Sequence, residues 1–305
     1  MDRPAFKCEP LNGATLMNYL NELTDAYPFI GVEYIGETIM GKPICAVIFG
    51  EGESEYLYIS GHHGSEWITG LALIRFIYEL CEAHTVKRRI HGTDTEYLFR
   101  EKRLVIVPLF NVDGAELQQN GITENNPLKE RILRMNGENG DDFTHWQANV
   151  RGVDLNHNYN AGWMEYKQIE KENGIECGCP TKYSGPCPES EPECGYLCSY
   201  IRNHNVRSLI SLHTQGEEIY YSTLSSCPIG ARAIASRIAQ ITGYKTSAPS
   251  GSAAYGGLID WFISEYDRPA FTLECGKGSN PLPLSDEAKI YFKLRKLLFT
   301  FPVMV

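Results

Sequence analysis

Apolar and polar positions along the chain follow two rhythms, one helical and one of short buried runs. Leu16, Leu20, Leu23 and Tyr27 recur at helical spacing and predict a helix over roughly 16–27. Two β-type apolar runs follow at 44–49 and 56–60. After Gly61-His-His-Gly64, a second helix is predicted over 67–82, with Ile74, Ile77, Tyr78 and Cys81 on one face. The run 104–109 is too continuously apolar to be half exposed and reads as a buried strand. From about 111 to 190 the chain is polar and rich in Gly and Asn, and few elements are predicted. Ser190-Glu-Pro-Glu193 resembles a capping box with proline in the first turn, so a helix is expected to start there. Strands at 206–212 and 270–274 and helices near 228–242, 257–266 and 285–299 complete the pattern. Strands alternating with helices predict an α/β fold whose mixed, largely parallel sheet is covered on both faces. No repeat or linker interrupts the pattern, so residues 1–305 read as a single domain with a polar, Cys-rich excursion near 160–198.

Composition narrows the function classes. With 305 residues, 43% hydrophobic and 22% charged, the chain can bury a large core and is not of disordered type. A net charge of −10 argues against nucleic acid as a partner, because phosphates are engaged by a basic face. No apolar run approaches the roughly 18 residues of a membrane span, so no membrane partner is expected. The opening Met-Asp-Arg-Pro-Ala-Phe-Lys is followed by no apolar stretch of signal-peptide type, and a cytoplasmic location is expected.

The chemistry gathers where apolar strands end. His63-Gly-Ser-Glu66 follows the 56–60 run and precedes a helix. That separation lets an imidazole and a carboxylate converge on one ion from a single tight turn. Alone, His-x-x-Glu is common, and such a histidine usually just packs or faces water. The 206–212 run, however, leads straight into His213, and the 270–274 run ends on Glu274. Carboxyl ends of strands are where open α/β sheets build their sites. Zinc accepts a mixed nitrogen and oxygen set and keeps a position open for water. An acid such as Glu274 suits a general base acting with zinc-activated water. Gly152-Val-Asp154-Leu-Asn156 adds an acid able to orient a ligand imidazole and an amide able to hold a substrate carbonyl or carboxylate.

On these residues the chain resembles the zinc carboxypeptidase family, the funnelin metallopeptidases. The matching segments run in order: 34–44, His63-x-x-Glu66, Pro108-Leu-Phe-Asn-Val-Asp113-Gly, Gly152-Val-Asp-Leu-Asn156, Ser211-Leu-His213, Gly256-Gly-Leu-Ile-Asp260-Trp261 and Phe271-Thr-Leu-Glu274. The resemblance implies an α/β/α sandwich around a mixed sheet of about eight strands. It implies one catalytic zinc held by His63, Glu66 and His213, with Glu274 as general base and electrostatic stabiliser.

The departures from that pattern matter as much. The family's carboxypeptidases follow the asparagine with an arginine that grips the substrate's terminal carboxylate, and here His157 follows Asn156. Only a guanidinium supplies that bidentate clamp. The arginine expected nine residues before Asn156 is Gln147, with Arg151 nearby as a replacement at the catalytic centre. The mobile-loop tyrosine position falls on Ser252, and Tyr255 follows three residues later. The segments 146–156, 213–220 and 274–283 resemble the bacterial branch of γ-D-glutamyl-diamino-acid peptidases, which cut cell-wall stem peptides. Some of that branch carry wall-binding repeats ahead of the catalytic domain. None is seen here, which suits a soluble muropeptide substrate. The diamino acid calls for a polar pocket, and Gln215, Tyr255 and Asp260 are candidates to line it with Asn156 and His157. Each also reads as something plainer: a surface amide, a packed aromatic, an acid at a helix start. The alternative function is an ordinary metallocarboxypeptidase anchored by Arg151 or Lys277, and the non-enzyme alternative is an inactive zinc-binding module.

Five of the ten cysteines crowd into Cys177, Cys179, Cys187, Cys194 and Cys198. They read as free thiols, as a second structural metal site, or as disulfides, and their spacing matches no standard zinc knuckle.

Overall fold

The computed structural model describes residues 4–305. Eight strands share one sheet: β1 (Gly31–Glu37), β2 (Pro43–Phe49), β3 (Glu55–Ser60), β6 (Arg103–Val107), β7 (Val206–His213), β8 (Glu218–Tyr220), β9 (Lys245–Thr246) and β10 (Ala270–Glu274). A separate ribbon pairs β4 (Arg89–Ile90) with β5 (Thr93–Asp94). The sheet order is β1-β2-β6-β3-β7-β10-β8-β9. Its centre, β6-β3-β7-β10, is parallel. The antiparallel pairs are β1 with β2, β2 with β6, and β8 with β10. The sheet is mixed, with eight strands, as the resemblance implied.

Successive residues of a strand point to opposite faces, and here both faces are apolar. On β3, Tyr56 and Tyr58 join one core while Leu57 and Ile59 join the other. The first core is closed by helices Gly13–Ala26, Ile68–Thr85, Ala231–Thr242 and Glu287–Met304. The second is closed by Pro192–Asn203 and Leu258–Tyr266. The result is helix on sheet on helix. Each fully buried Leu or Ile contributes roughly 1.5–3 kcal/mol of transfer free energy against the entropy of ordering it.

The pattern of the sequence misses what burial does not mark. Strand β1 lies at the sheet edge and is only partly covered, with Tyr34 66% exposed, so it shows no apolar run. Strand β6 stops at Val107, and Pro108, which has no N–H for the ladder, follows. The polar stretch after it folds into helices Val112–Asn120 and Lys129–Asn136, which give Leu117 and Ile132 to a small third core around Trp146, and a further helix Trp163–Glu172. The expected capping box at Ser190 is not formed. The helix starts at Pro192 with Glu191 as its cap residue and no side-chain cap, because Ser190 Oγ instead bonds Glu191 and Asn158.

All ten cysteines are free thiols. Cys194 and Cys198 are packed in the second core, while Cys177 and Cys187 are exposed. Among the described residues, the one set of metal-type donors close enough to hold an ion contains no cysteine. The second metal and the disulfides considered for this cluster are therefore both set aside. No helix among the described residues is long and apolar enough to cross a membrane.

Candidate active site

The carboxyl ends of the adjacent parallel strands β3, β7 and β10 converge on one point. Beyond Ser60, the chain turns through Gly61-His62-His63 into a single 3-10 turn, Gly64–Glu66, and then the helix Ile68–Thr85. This sharp passage sets His63 Nδ1 3.0 Å from Glu66 Oε1. His213, the last residue of β7, sets its Nδ1 3.1 Å from Glu66 Oε2. One donor atom from each of His63, Glu66 and His213 lies within 4.8 Å of the others.

The far sides of both rings are held by the protein. His63 Nε2 lies 3.1 Å from Asp154 Oδ1, and His213 Nε2 lies 3.1 Å from Ser211 Oγ. With the proton on Nε2, each ring turns the lone pair of Nδ1 inward, which is the arrangement a metal-binding histidine needs. Asp154 is itself fixed by the N–H groups of Asn156 and Lys182, both 3.1 Å away. Burial works against charge at Asp154, but His63 and His157 outweigh it and hold its carboxyl below the usual range. Burial likewise opposes a charged His63, yet Glu66 and Asp154 push it well above the ordinary histidine value. The centre thus draws positive charge. Two oriented imidazoles and a carboxylate in such a field fit a zinc ion.

Glu274 ends β10 directly opposite His213 in the ladder. Burial, with Glu66 and Glu218 adding to it against His213 and His63, pushes its carboxyl up to about 7. A cation in the centre would draw that value back down. Glu274, His63 and His213 line a cavity of about 140 Å³ together with Asn156, His157, Tyr220, Tyr255 and Asp260. Larger grooves exist, one of about 760 Å³ between Arg89, Arg100 and the carboxy-terminal helix, but they contain none of these groups.

Cavity geometry depends on the loop before the helix Leu258–Tyr266. Gly256 has φ of 75°, and a Cβ there would come 2.7 Å from the carbonyl oxygen of His157, so only glycine lets the two loops meet. Asn156 Oδ1 accepts from the Leu258 N–H at 3.2 Å. Asp260 Oδ2 accepts from the Gly257 N–H at 3.2 Å, and burial raises its carboxyl to about 7. His157 Nδ1 is 2.9 Å from the Tyr255 carbonyl oxygen, and its ring stacks on Tyr166 at 4.0 Å.

The other residues singled out in the sequence are placed elsewhere. Arg151 faces Glu191 at 3.7 Å and does not line the cavity. Gln147 bonds Thr181 Oγ1, and Gln215 is exposed. Among the described residues, no lysine or arginine lines the cavity. Residues not singled out one by one, though they lie in the matched segments, also reach the site. Ser211 holds His213, and Thr214 and Asn280 bond Glu66. His62, buried beside the centre, bonds the Tyr159 hydroxyl at 2.9 Å and forms wall.

A three-layer α/β fold with a histidine–glutamate–histidine centre at the strand ends defines a metallohydrolase. The chain belongs to the zinc carboxypeptidase family, whose model matches residues 16–291. It is 32% identical over 276 residues to γ-D-glutamyl-L-diamino acid endopeptidase 1 of Lysinibacillus sphaericus, covering 90% of this chain and 68% of that one. Among solved structures it resembles bovine thrombin-activatable fibrinolysis inhibitor, with a TM-score of 0.73 and 18% identity over 98% of both chains. It also resembles the murein-tripeptide amidase MpaA of Escherichia coli O157, with a TM-score of 0.54 and 20% identity over 88% of this chain and 91% of that one. The protein is a zinc metallopeptidase by family.

Proposed function

We propose that this chain hydrolyses the γ-D-glutamyl–diamino acid bond of cell-wall stem peptides, acting as one catalytic domain. In this reading His63, Glu66 and His213 hold the zinc, Asp154 and Ser211 orient the two imidazoles, and Glu274 is the general base. Zinc, when bound, supplies Lewis acidity that polarises the scissile carbonyl and makes water easier to deprotonate. Glu274 takes up the proton of the attacking water and delivers it to the leaving amine, a task its place at the end of β10 opposite His213 allows. Asn156 and Tyr255 line the space in which the substrate lies.

The observation that supports the substrate class is a cavity lined, among the described residues, by His157 beside Asn156 and by no lysine or arginine. His157 donates from Nδ1 to a carbonyl and is held below the ordinary histidine value by burial, despite the pull of Asp154. It therefore offers a lone pair at Nε2, not a charge. A terminal carboxylate facing this group forgoes charge-assisted bonds worth roughly 1.5–3 kcal/mol each. A diamino acid brings an ammonium as well as a carboxylate, and an acceptor suits the former. The likeness to the Lysinibacillus endopeptidase supports the same reading. The test is mass spectrometry of products from a γ-D-glutamyl-diaminopimelate peptide and from an acylated dipeptide with a free carboxyl terminus. Cleavage of the first is expected. Efficient removal of ordinary terminal residues, with the γ-D-glutamyl bond left intact, would make the protein a carboxypeptidase instead.

A further inference from the structure

Glu66 is gripped from two loops at once, and one of the grips comes from a residue far away in sequence. The loop after β10 carries Asn280, whose Nδ2 donates to Glu66 Oε1 at 3.1 Å. The loop after β7 carries Thr214, whose backbone N–H donates to Glu66 Oε2 at 3.2 Å. Each carboxylate oxygen thus faces one imidazole and one neutral donor from behind.

The amide of Asn280 has one workable orientation. Its Oδ1 accepts from Thr214 Oγ1 at 2.6 Å, and the same Nδ2 that reaches Glu66 also donates to the Thr214 carbonyl at 3.0 Å. Turning the amide over would set its oxygen against two acceptors, the carboxylate and the carbonyl. Thr214 is buried and directly follows His213, so this lock joins the two strand-end loops at the centre itself.

We infer that Asn280 is a positioning residue for the metal centre: with Thr214 it fixes the plane of the Glu66 carboxylate that His63 and His213 face. The inference rests on the assignment of His63, Glu66 and His213 as zinc ligands. A neutral amide suits the task because it orients a carboxylate without competing as a cation for its charge. Outer partners of this kind set ligand orientation, and their loss weakens metal binding by roughly 10–100-fold.

The test is the zinc dissociation constant, measured by competition with a chromophoric chelator on purified protein, without reference to turnover. Asn280→Ala is expected to weaken zinc binding by roughly 10–100-fold. Thr214→Val keeps the backbone donor and the shape but frees the amide, and is expected to weaken binding less. Thr214→Ser keeps the hydroxyl and is expected to match wild type. His213→Ala serves as the reference for loss of a ligand. Zinc binding within about twofold of wild type in both Asn280→Ala and Thr214→Val, alongside its loss in His213→Ala, would overturn the inference while leaving the ligand set standing. Wild-type zinc binding in His213→Ala would instead remove the ligand assignment, and the role of Asn280 with it. Should Asn280→Ala fail to fold, Thr214→Val against Thr214→Ser decides the matter alone.

Discussion

His157 Nδ1 lies 2.9 Å from the carbonyl oxygen of Tyr255, so one loop fixes the protonation pattern of a side chain on another. The stack on Tyr166 holds the same ring from its face. His157, which lines the cavity, is therefore held in one orientation. From this a preference follows: kcat/KM for a γ-D-glutamyl-diaminopimelate peptide should exceed that for an ordinary terminal dipeptide by at least roughly a hundredfold, about 2.7 kcal/mol. His157→Arg should narrow the gap by improving the dipeptide, since a guanidinium can stack on Tyr166 and clamp a carboxylate. Parallel kinetics on the two substrates decide it, and an unchanged ratio in the variant would remove His157 from the account of specificity.

Zinc should bind at one equivalent per chain. His213→Ala removes one of three donors and should lower occupancy and abolish turnover. Elemental analysis of the purified variant reads this directly. Full occupancy would show that the ion is held elsewhere.

Glu274→Gln should retain zinc and lose roughly 10²–10⁴ in kcat, because it removes proton transfer but no donor of the three-residue set. Occupancy and single-turnover rate are to be measured on one sample. Loss of the metal in this variant would make Glu274 a ligand.

A fourth expectation concerns stability. Glu193 is buried in the first turn of the helix Pro192–Asn203, and burial, with Glu191 and Asp113 adding to it, pushes its carboxyl up to about 7. The unfolded chain releases this proton near the ordinary value of about 4.3, so between there and 7 the folded state binds more protons than the unfolded. Stability from this group is full below the lower value, falls as pH rises, and levels off above the higher one. The expected loss is of order 3–4 kcal/mol. Glu193→Gln should remove that decline. Urea unfolding of both proteins at several pH values from 5 to 8 measures it, and a wild-type-to-variant difference that does not change with pH would refute it.

What the sequence revealed, and what it hid, divides along physical lines. Strands buried on both faces, such as β3 and β7, announce themselves as apolar runs, and ligands placed at their ends could be read off directly. His63 and Glu66 are close in the chain, so their meeting needs only a local turn. Asn280 sits in a proline-rich loop 214 positions from Glu66, within the matched segment 274–283, and no local spacing shows that it meets Glu66. Arg151 shows the converse. It lies near Asp154 and Asn156 in sequence, but its backbone N–H bonds Asn149 and its guanidinium turns to Glu191. Edge strand β1 shows no apolar run because none of its residues is fully buried, and the helices of the polar stretch carry few apolar positions.

Glu274 and His213 are partners in the β7–β10 ladder, so the distance between the proposed base and the proposed ligand is measured out by main-chain hydrogen bonds. A slip of one residue would turn one of them to the opposite face of the sheet. The spacing is thus a property of a buried strand pairing, insulated from drift in the loops that shape the cavity. Substrate preference can be remodelled by exchanging those loops one at a time, while the hydrolytic centre persists or fails as a unit with the sheet.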